Sequence, residues 1–114
     1  MEGQKEKYSI DRLIQFMFSH WGKENVRSGD REIINLRHIG MDICYHLWYL
    51  NKVLYKEGPS AIGRKFGGYT HCTVWYAHKK ICGYYQFNKH FKNIIDEIES
   101  AINDNFEIEK LKRL

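Results

Sequence analysis

The sequence predicts an all-α fold, a compact bundle of about five helices, from three observations. Apolar residues recur at spacings of three and four along nearly the whole chain. No run of strand-type alternation, internal repeat or low-complexity tract interrupts that pattern. The 114 residues, 43% of them hydrophobic and with a single Pro, suffice for one core and therefore for one domain, 1–114.

Each element has its own signal. Ile10, Leu13, Ile14, Met17 and Trp21 share a helical face, and Ser9 is placed to cap, so a first helix is expected from about Ser9 to His20. Gly22 to Asp30 reads as a loop. Leu36, Ile39, Ile43, Leu47, Leu50 and Leu54, separated by 3, 4, 4, 3 and 4 residues, lie on one side of a second helix. That helix, with Asp30 as its N-cap, either runs to about Tyr55 or breaks near Asn51, and in both cases is the main pillar of the core. Gly58-Pro59 forces a turn, and Pro59 opens a short third helix that buries Ile62 and Phe66. Gly67 and Gly68 stop it after about two turns. Thr70 is expected to cap a fourth helix with Val74, Ala77, Ile81 and Tyr84 on one side and Tyr76, Lys79 and Lys80 on others. The last helix, from about Asn88, turns Phe91, Ile94, Ile95, Ile98 and Ile102 inward and Asp96, Glu97 and Glu99 outward.

Several function classes are excluded or disfavoured. The longest apolar stretch, Ile43 to Leu50, is interrupted by His46 and falls far short of the roughly 20 residues that span a bilayer. The polar start, Met1 to Lys7, shows no secretory signal, and three cysteines (Cys44, Cys72, Cys82) without CxxC spacing fit reduced thiols in the cytoplasm. With no GxxxxGK[ST], no HExxH and no Ser-His-Asp grouping, an enzyme is not expected. His78 and Cys82, four apart on one helical face and near His71 and Cys72, have a spacing that zinc can use. With Cys44 the only other thiol, neither a metal nor another cofactor is expected.

The charge of +4 is unevenly spread. Residues 31–92 carry ten Lys and Arg against three acids, a net +7, whereas residues 1–30 are neutral and 93–114 sum to −3. A basic middle of this kind suits one face meeting a polyanion. Within it, a short helix, a tight glycine turn and a longer helix, about 59–86, have the layout of a helix-turn-helix. In that geometry Tyr69, Thr70, His71, Cys72 and Thr73 sit at the helix start that approaches base pairs and phosphates. Lys79 and Lys80, with Lys56, Arg64 and Lys65, are candidates for phosphate contact. The aromatic content, including Trp48, Tyr49, Trp75, Tyr76, Tyr84 and Tyr85, reads first as core and rim.

The run Ile62-Gly63-Arg64-Lys65-Phe66-Gly67-Gly68-Tyr69-Thr70-His71-Cys72-Thr73-Val74, continuing through Ala77 to Lys80-Ile81, resembles the signature of the C-terminal DNA-binding domain of the DnaA family, bacterial chromosomal replication initiators. Upstream, Arg37-His38-Ile39-Gly40-Met41 looks like the Arg-Gln-Ile-Ala-Met stretch that opens the family's central helix, and the resemblance spans roughly Ser9 to Ile102. It implies the helical fold of that domain, similar also to Trp repressor, and double-stranded DNA as partner. By the resemblance, Arg37 enters the minor groove, His71 meets base edges, and Cys72 stands where the family has a base-contacting Thr. Thr73 matches a phosphate-holding Thr, and Ser60 matches a base-contacting position. Two departures stand out: Tyr69-Thr70 replaces the family's Arg-Asp pair, leaving Tyr69 a candidate for phosphate and Thr70 for bases. The chain between Met41 and Ile62 is also longer, by about two helical turns.

The expected function is a sequence-specific DNA-binding regulator of transcription or replication, lacking the initiator ATPase for which 114 residues leave no room. Expected with it are a phage or mobile-element source, a nucleoid-associated place in the cytoplasm, and homodimerisation through the second or last helix. The alternative is a protein-interaction module, for example an antagonist of the replication machinery, that retains the fold.

Overall fold

A computed structural model describes residues 5–20 and 31–108, so the expected loop Gly22 to Asp30, the capping Asp30 and Trp21 lie outside the described residues. Among the described residues the chain forms five helices: α1 (Ile10–His20), α2 (Arg31–Leu50), α3 (Pro59–Lys65), α4 (His71–Phe87) and α5 (Lys89–Asn105). α1 starts where expected, with the Arg12 amide donating to the Ser9 hydroxyl at 3.2 Å. No described helix is long and apolar enough to cross a membrane.

α2 is the pillar, and its most extensive contact is with α4. Leu36, Ile39, Ile43 and Leu47 are buried on it, joined by Met41 and Cys44, so the helix is enclosed around much of its middle. Burial pushes the Cys44 thiol up to about 12, which keeps it a neutral core group. The expected stripe ends early, however: Leu50 and Leu54 are exposed rather than buried. α2 stops at Leu50, and Asn51 builds a turn in which its Oδ1 accepts from the Leu54 amide at 3.0 Å and its carbonyl accepts from Tyr55 at 2.9 Å. That turn rotates Leu54 outward and delivers Tyr55 to the core, edge-on to Tyr8 with 5.4 Å between ring centroids.

Ile62 on α3 and Phe66, the residue that ends it, are buried completely, as the sequence predicts. α4 buries Val74, Ala77 and Ile81, while Tyr84 is half-buried and stacks on Phe91 at 4.5 Å. Asn88 both ends α4 and starts α5, its Oδ1 accepting from the Phe91 amide at 3.1 Å. α5 buries Ile95, Ile98 and Ile102, and also Glu99, which the sequence placed on the outer face. Glu99 lies four residues after Ile95 and next to Ile98, so the helical repeat carries it to the buried edge of the stripe.

The chain also forms two very short strands that alternation could not reveal. β1 (Glu6–Lys7) pairs in parallel with β2 (Phe106–Glu107), which joins the two ends of the described chain and buries Phe106. Two residues are too few for a period-two pattern to register.

Candidate nucleic-acid interface

α3 and α4 are joined by a five-residue turn and pack against one another. Gly67 and Gly68 have φ of 131° and 84°, conformations open to glycine but strained for side chains bearing a Cβ. Their amides donate to the Arg64 carbonyl at 3.3 and 2.9 Å, closing the end of α3. The Tyr69 amide then donates back to the Gly63 carbonyl at 2.9 Å, folding the turn against α3. A Cβ at Gly63 would lie 2.4 Å from the Tyr69 oxygen and 2.8 Å from that of Thr70, so a bare α-carbon permits the close approach that seats the start of α4.

Thr70 occupies the N-cap position with φ −82° and ψ 168°, yet its side chain makes no capping hydrogen bond, contrary to the expected cap. Thr70 is exposed, as are His71 and Cys72 on the first turn, with Cys72 Sγ 3.7 Å from His71 Nε2. Ser60 is exposed on α3, while Thr73 is half-buried. The outward face of α4 continues through Trp75, 50% exposed, and Tyr76, 61% exposed, to Lys79. Lys79 Nζ sits 4.7 Å from the Trp75 ring centroid, and the five residues His71, Cys72, Trp75, Tyr76 and Lys79 line a shallow concavity. Trp75 and Tyr76 were not among the contact candidates. Their spacing of four from His71 and Cys72 was the signal, obscured because aromatics at helical spacing read first as core.

The basic candidates fall into two groups. Lys56, Arg64 and Lys79 are exposed. Lys65 is half-buried, its ammonium held by Glu57 at 2.8 Å and Asp11 at 3.2 Å, and these carboxylates raise its pKa. Arg37 is 6% exposed and its guanidinium lies 4.8 Å from the centroid of the half-buried Tyr69 ring. Reaching a groove therefore requires Arg37 to leave that ring, an interaction worth roughly 0.5–2 kcal/mol. Lys80 is half-buried and donates to His38 Nδ1 at 2.9 Å, so His38 serves as an acceptor and is neutral. Burial, then the charges of Lys80 and Arg37, depress His38 to about 4. Arg37, His38 and Lys80 thus form a positive wedge between α2 and α4 beside the exposed face.

A second group assembles between the same helices. Asp42 and His46 on α2 meet His78 and Cys82 on α4, with one potential ligand atom from each residue lying within 4.8 Å of all the others. The sequence pointed to His78 and Cys82 together with His71 and Cys72, all on α4; the structure leaves His71 and Cys72 out of this group and adds Asp42 and His46, because α2 and α4 pack against one another.

The chain is similar to chromosomal replication initiator proteins DnaA of two Bacteroides species. With that of Bacteroides thetaiotaomicron it is 27% identical over 106 residues, which cover 90% of this chain and 21% of the relative. With that of Bacteroides fragilis it is 28% identical over 98 residues, 82% of this chain and 19% of the relative. The chain thus spans about a fifth of the length of the curated relatives it matches. No family model matches it, and no solved structure does. The resemblance that its glycine-turn signature suggested therefore extends over most of the chain, which is similar to a segment of the replication initiator DnaA.

Proposed function

We propose that this protein binds double-stranded DNA sequence-specifically, with α3, the turn and α4 acting as a helix-turn-helix, and regulates transcription or replication by occupying its site. The observation that carries this reading is the exposed face at the start of α4, where His71, Cys72, Trp75, Tyr76 and Lys79 stand together in a chain similar to a replication initiator. In this reading His71, Cys72, Thr70 and Ser60 meet base edges, and Arg37 swings from Tyr69 into the minor groove. Lys56, Arg64, Lys79 and Thr73 hold phosphates. Lys65, Lys80 and Tyr69 join them when a phosphate competes with their present partners. The action is binding rather than catalysis, and its place is the cytoplasm.

Selection of duplexes from a random library, followed by anisotropy titration across salt, tests this. A recovered consensus and an affinity that falls steeply with salt are expected. His71→Ala and Arg37→Ala should each cost about 1–3 kcal/mol of specific binding. Recovery of no consensus, or binding indifferent to salt, overturns the proposal.

A second reading, a protein-interaction module, is favoured by the exposed apolar run Tyr49, Leu50, Val53 and Leu54 at the end of α2. It predicts that Val53→Glu abolishes association in light scattering or partner binding while His71→Ala has no effect.

A further inference from the structure

We propose that Asp42, His46, His78 and Cys82 form a zinc-class metal site that fastens α4 to α2. The four donors come as two pairs spaced four residues apart, one pair on each helix, so each helix presents its two side chains to the other on a single face. His78 Nδ1 lies 2.8 Å and His46 Nδ1 3.2 Å from Asp42 Oδ1, and Cys82 Sγ lies 3.7 Å from His78 Nδ1. Around a tetrahedral zinc with ordinary bond lengths, ligand atoms stand roughly 3.3–3.8 Å apart. Since all four ligand atoms already lie within 4.8 Å of one another, side-chain rotations of about an ångström reach that geometry.

The chemistry of the set agrees with the geometry. Imidazole, thiolate and carboxylate together select zinc over magnesium or calcium, which require oxygen. One carboxylate and one thiolate balance a divalent charge with both histidines neutral, so the occupied site is electrically neutral. That matters here because the Asp42 side chain is fully buried and those of His46 and His78 only about a quarter exposed. The Tyr45 ring, 4.4 Å from that of His78, restricts how that imidazole can turn. Occupancy would tie the helix bearing His71 and Trp75 to the pillar of the core, independently of whether that helix reads DNA.

Cobalt(II) spectroscopy and zinc analysis on the full chain, reduced and stripped with chelator, test the site. One equivalent of cobalt should give the intense visible bands of a tetrahedral centre together with a thiolate-to-cobalt charge-transfer band, and one equivalent of zinc should displace both. Cys82→Ser should lose the charge-transfer band, and His46→Gln should weaken zinc binding on the order of 100-fold. Cys72→Ser should leave the cobalt spectrum unchanged. Circular dichroism establishes that each variant is folded. The proposal is overturned if the folded protein gives no stoichiometric cobalt spectrum, or if the charge-transfer band survives Cys82→Ser or vanishes with Cys72→Ser.

Discussion

α4 and α5 are both 17-residue helices that follow one another in the chain, yet they begin in opposite ways. α5 is closed by its own side chain, Asn88, bonded to the Phe91 amide. α4 begins at Thr70, whose side chain makes no such bond, so its start is fixed from outside. Phe66 anchors the preceding helix, Gly63 admits the returning turn, and the two glycines with positive φ aim the chain. An end closed by a local cap needs nothing further. An end held by tertiary packing, with the helix dipole and its first amides not covered by a side chain, suits a negatively charged partner. The contrast is what the proposed function would require of a helix that reads DNA and of its supporting neighbour.

The strongest way to break the contrast is to remove the anchor. Phe66 is fully buried, and Phe66→Ala should cost about 3–5 kcal/mol in urea unfolding. A loss below about 1 kcal/mol would mean that α3 does not hold the start of α4. Gly63→Ala comes next. Its new methyl meets carbonyl oxygens at 2.4 and 2.8 Å, backbone atoms that cannot rotate away, so a loss of about 1–3 kcal/mol is expected. Because that strain falls on Tyr69 and Thr70, Gly63→Ala should also weaken the DNA binding proposed above. Ile102→Val in α5, remote from the turn, should lower stability by about 0.5–1.5 kcal/mol and leave affinity intact.

How far these features were legible in the sequence follows from how local they are. The helices, the glycine turn and the buried Ile62, Phe66, Val74 and Ile81 are set by short-range periodicity, and they appear where the pattern puts them. Leu50 and Leu54 continued the same period but lie past the end of α2, where the Asn51 turn redirects the chain. Periodicity cannot see a side-chain hydrogen bond that ends a helix. Glu99 failed as an outward residue because polarity was read ahead of angle. Within the candidate interface, the polar start of α4 was legible. The burial of Arg37 under Tyr69 and the pairing of Lys65 with Asp11 depend on contacts between elements. Asp42 and His46 joined His78 and Cys82 for the same reason.

Acid sharpens the comparison on the α2 side of α4. His38 has a folded pKa depressed to about 4, below its ordinary value, so the unfolded chain takes up a proton first as pH falls. Stability from this residue is complete above about pH 7, declines between about 6.5 and 4, and is constant below that. After screening of the neighbouring Lys80 and Arg37 charges, the loss should be on the order of 1–2 kcal/mol. His38→Gln keeps an acceptor for Lys80 without the titration, so urea midpoints measured across this window should fall less in the variant than in the parent.

The smallest effect tests the two starts directly. Asn88→Ala removes a formed bond to the Phe91 amide and should cost about 1 kcal/mol, within the usual range for an N-cap. Thr70→Ala removes no capping bond, so its cost should be a few tenths of a kcal/mol at most. Both residues are exposed, so packing contributes little to either change, and the difference isolates the cap. Hydrogen exchange at the first turns should follow the same order, with protection near Phe91 dropping in Asn88→Ala and that near Thr73 unchanged in Thr70→Ala. Equal losses from the two substitutions would mean that Thr70 closes α4 in solution. The start of α4 would then lose its distinction from that of α5, and the affinity of Thr70→Ala for DNA would report a cap as well as a contact.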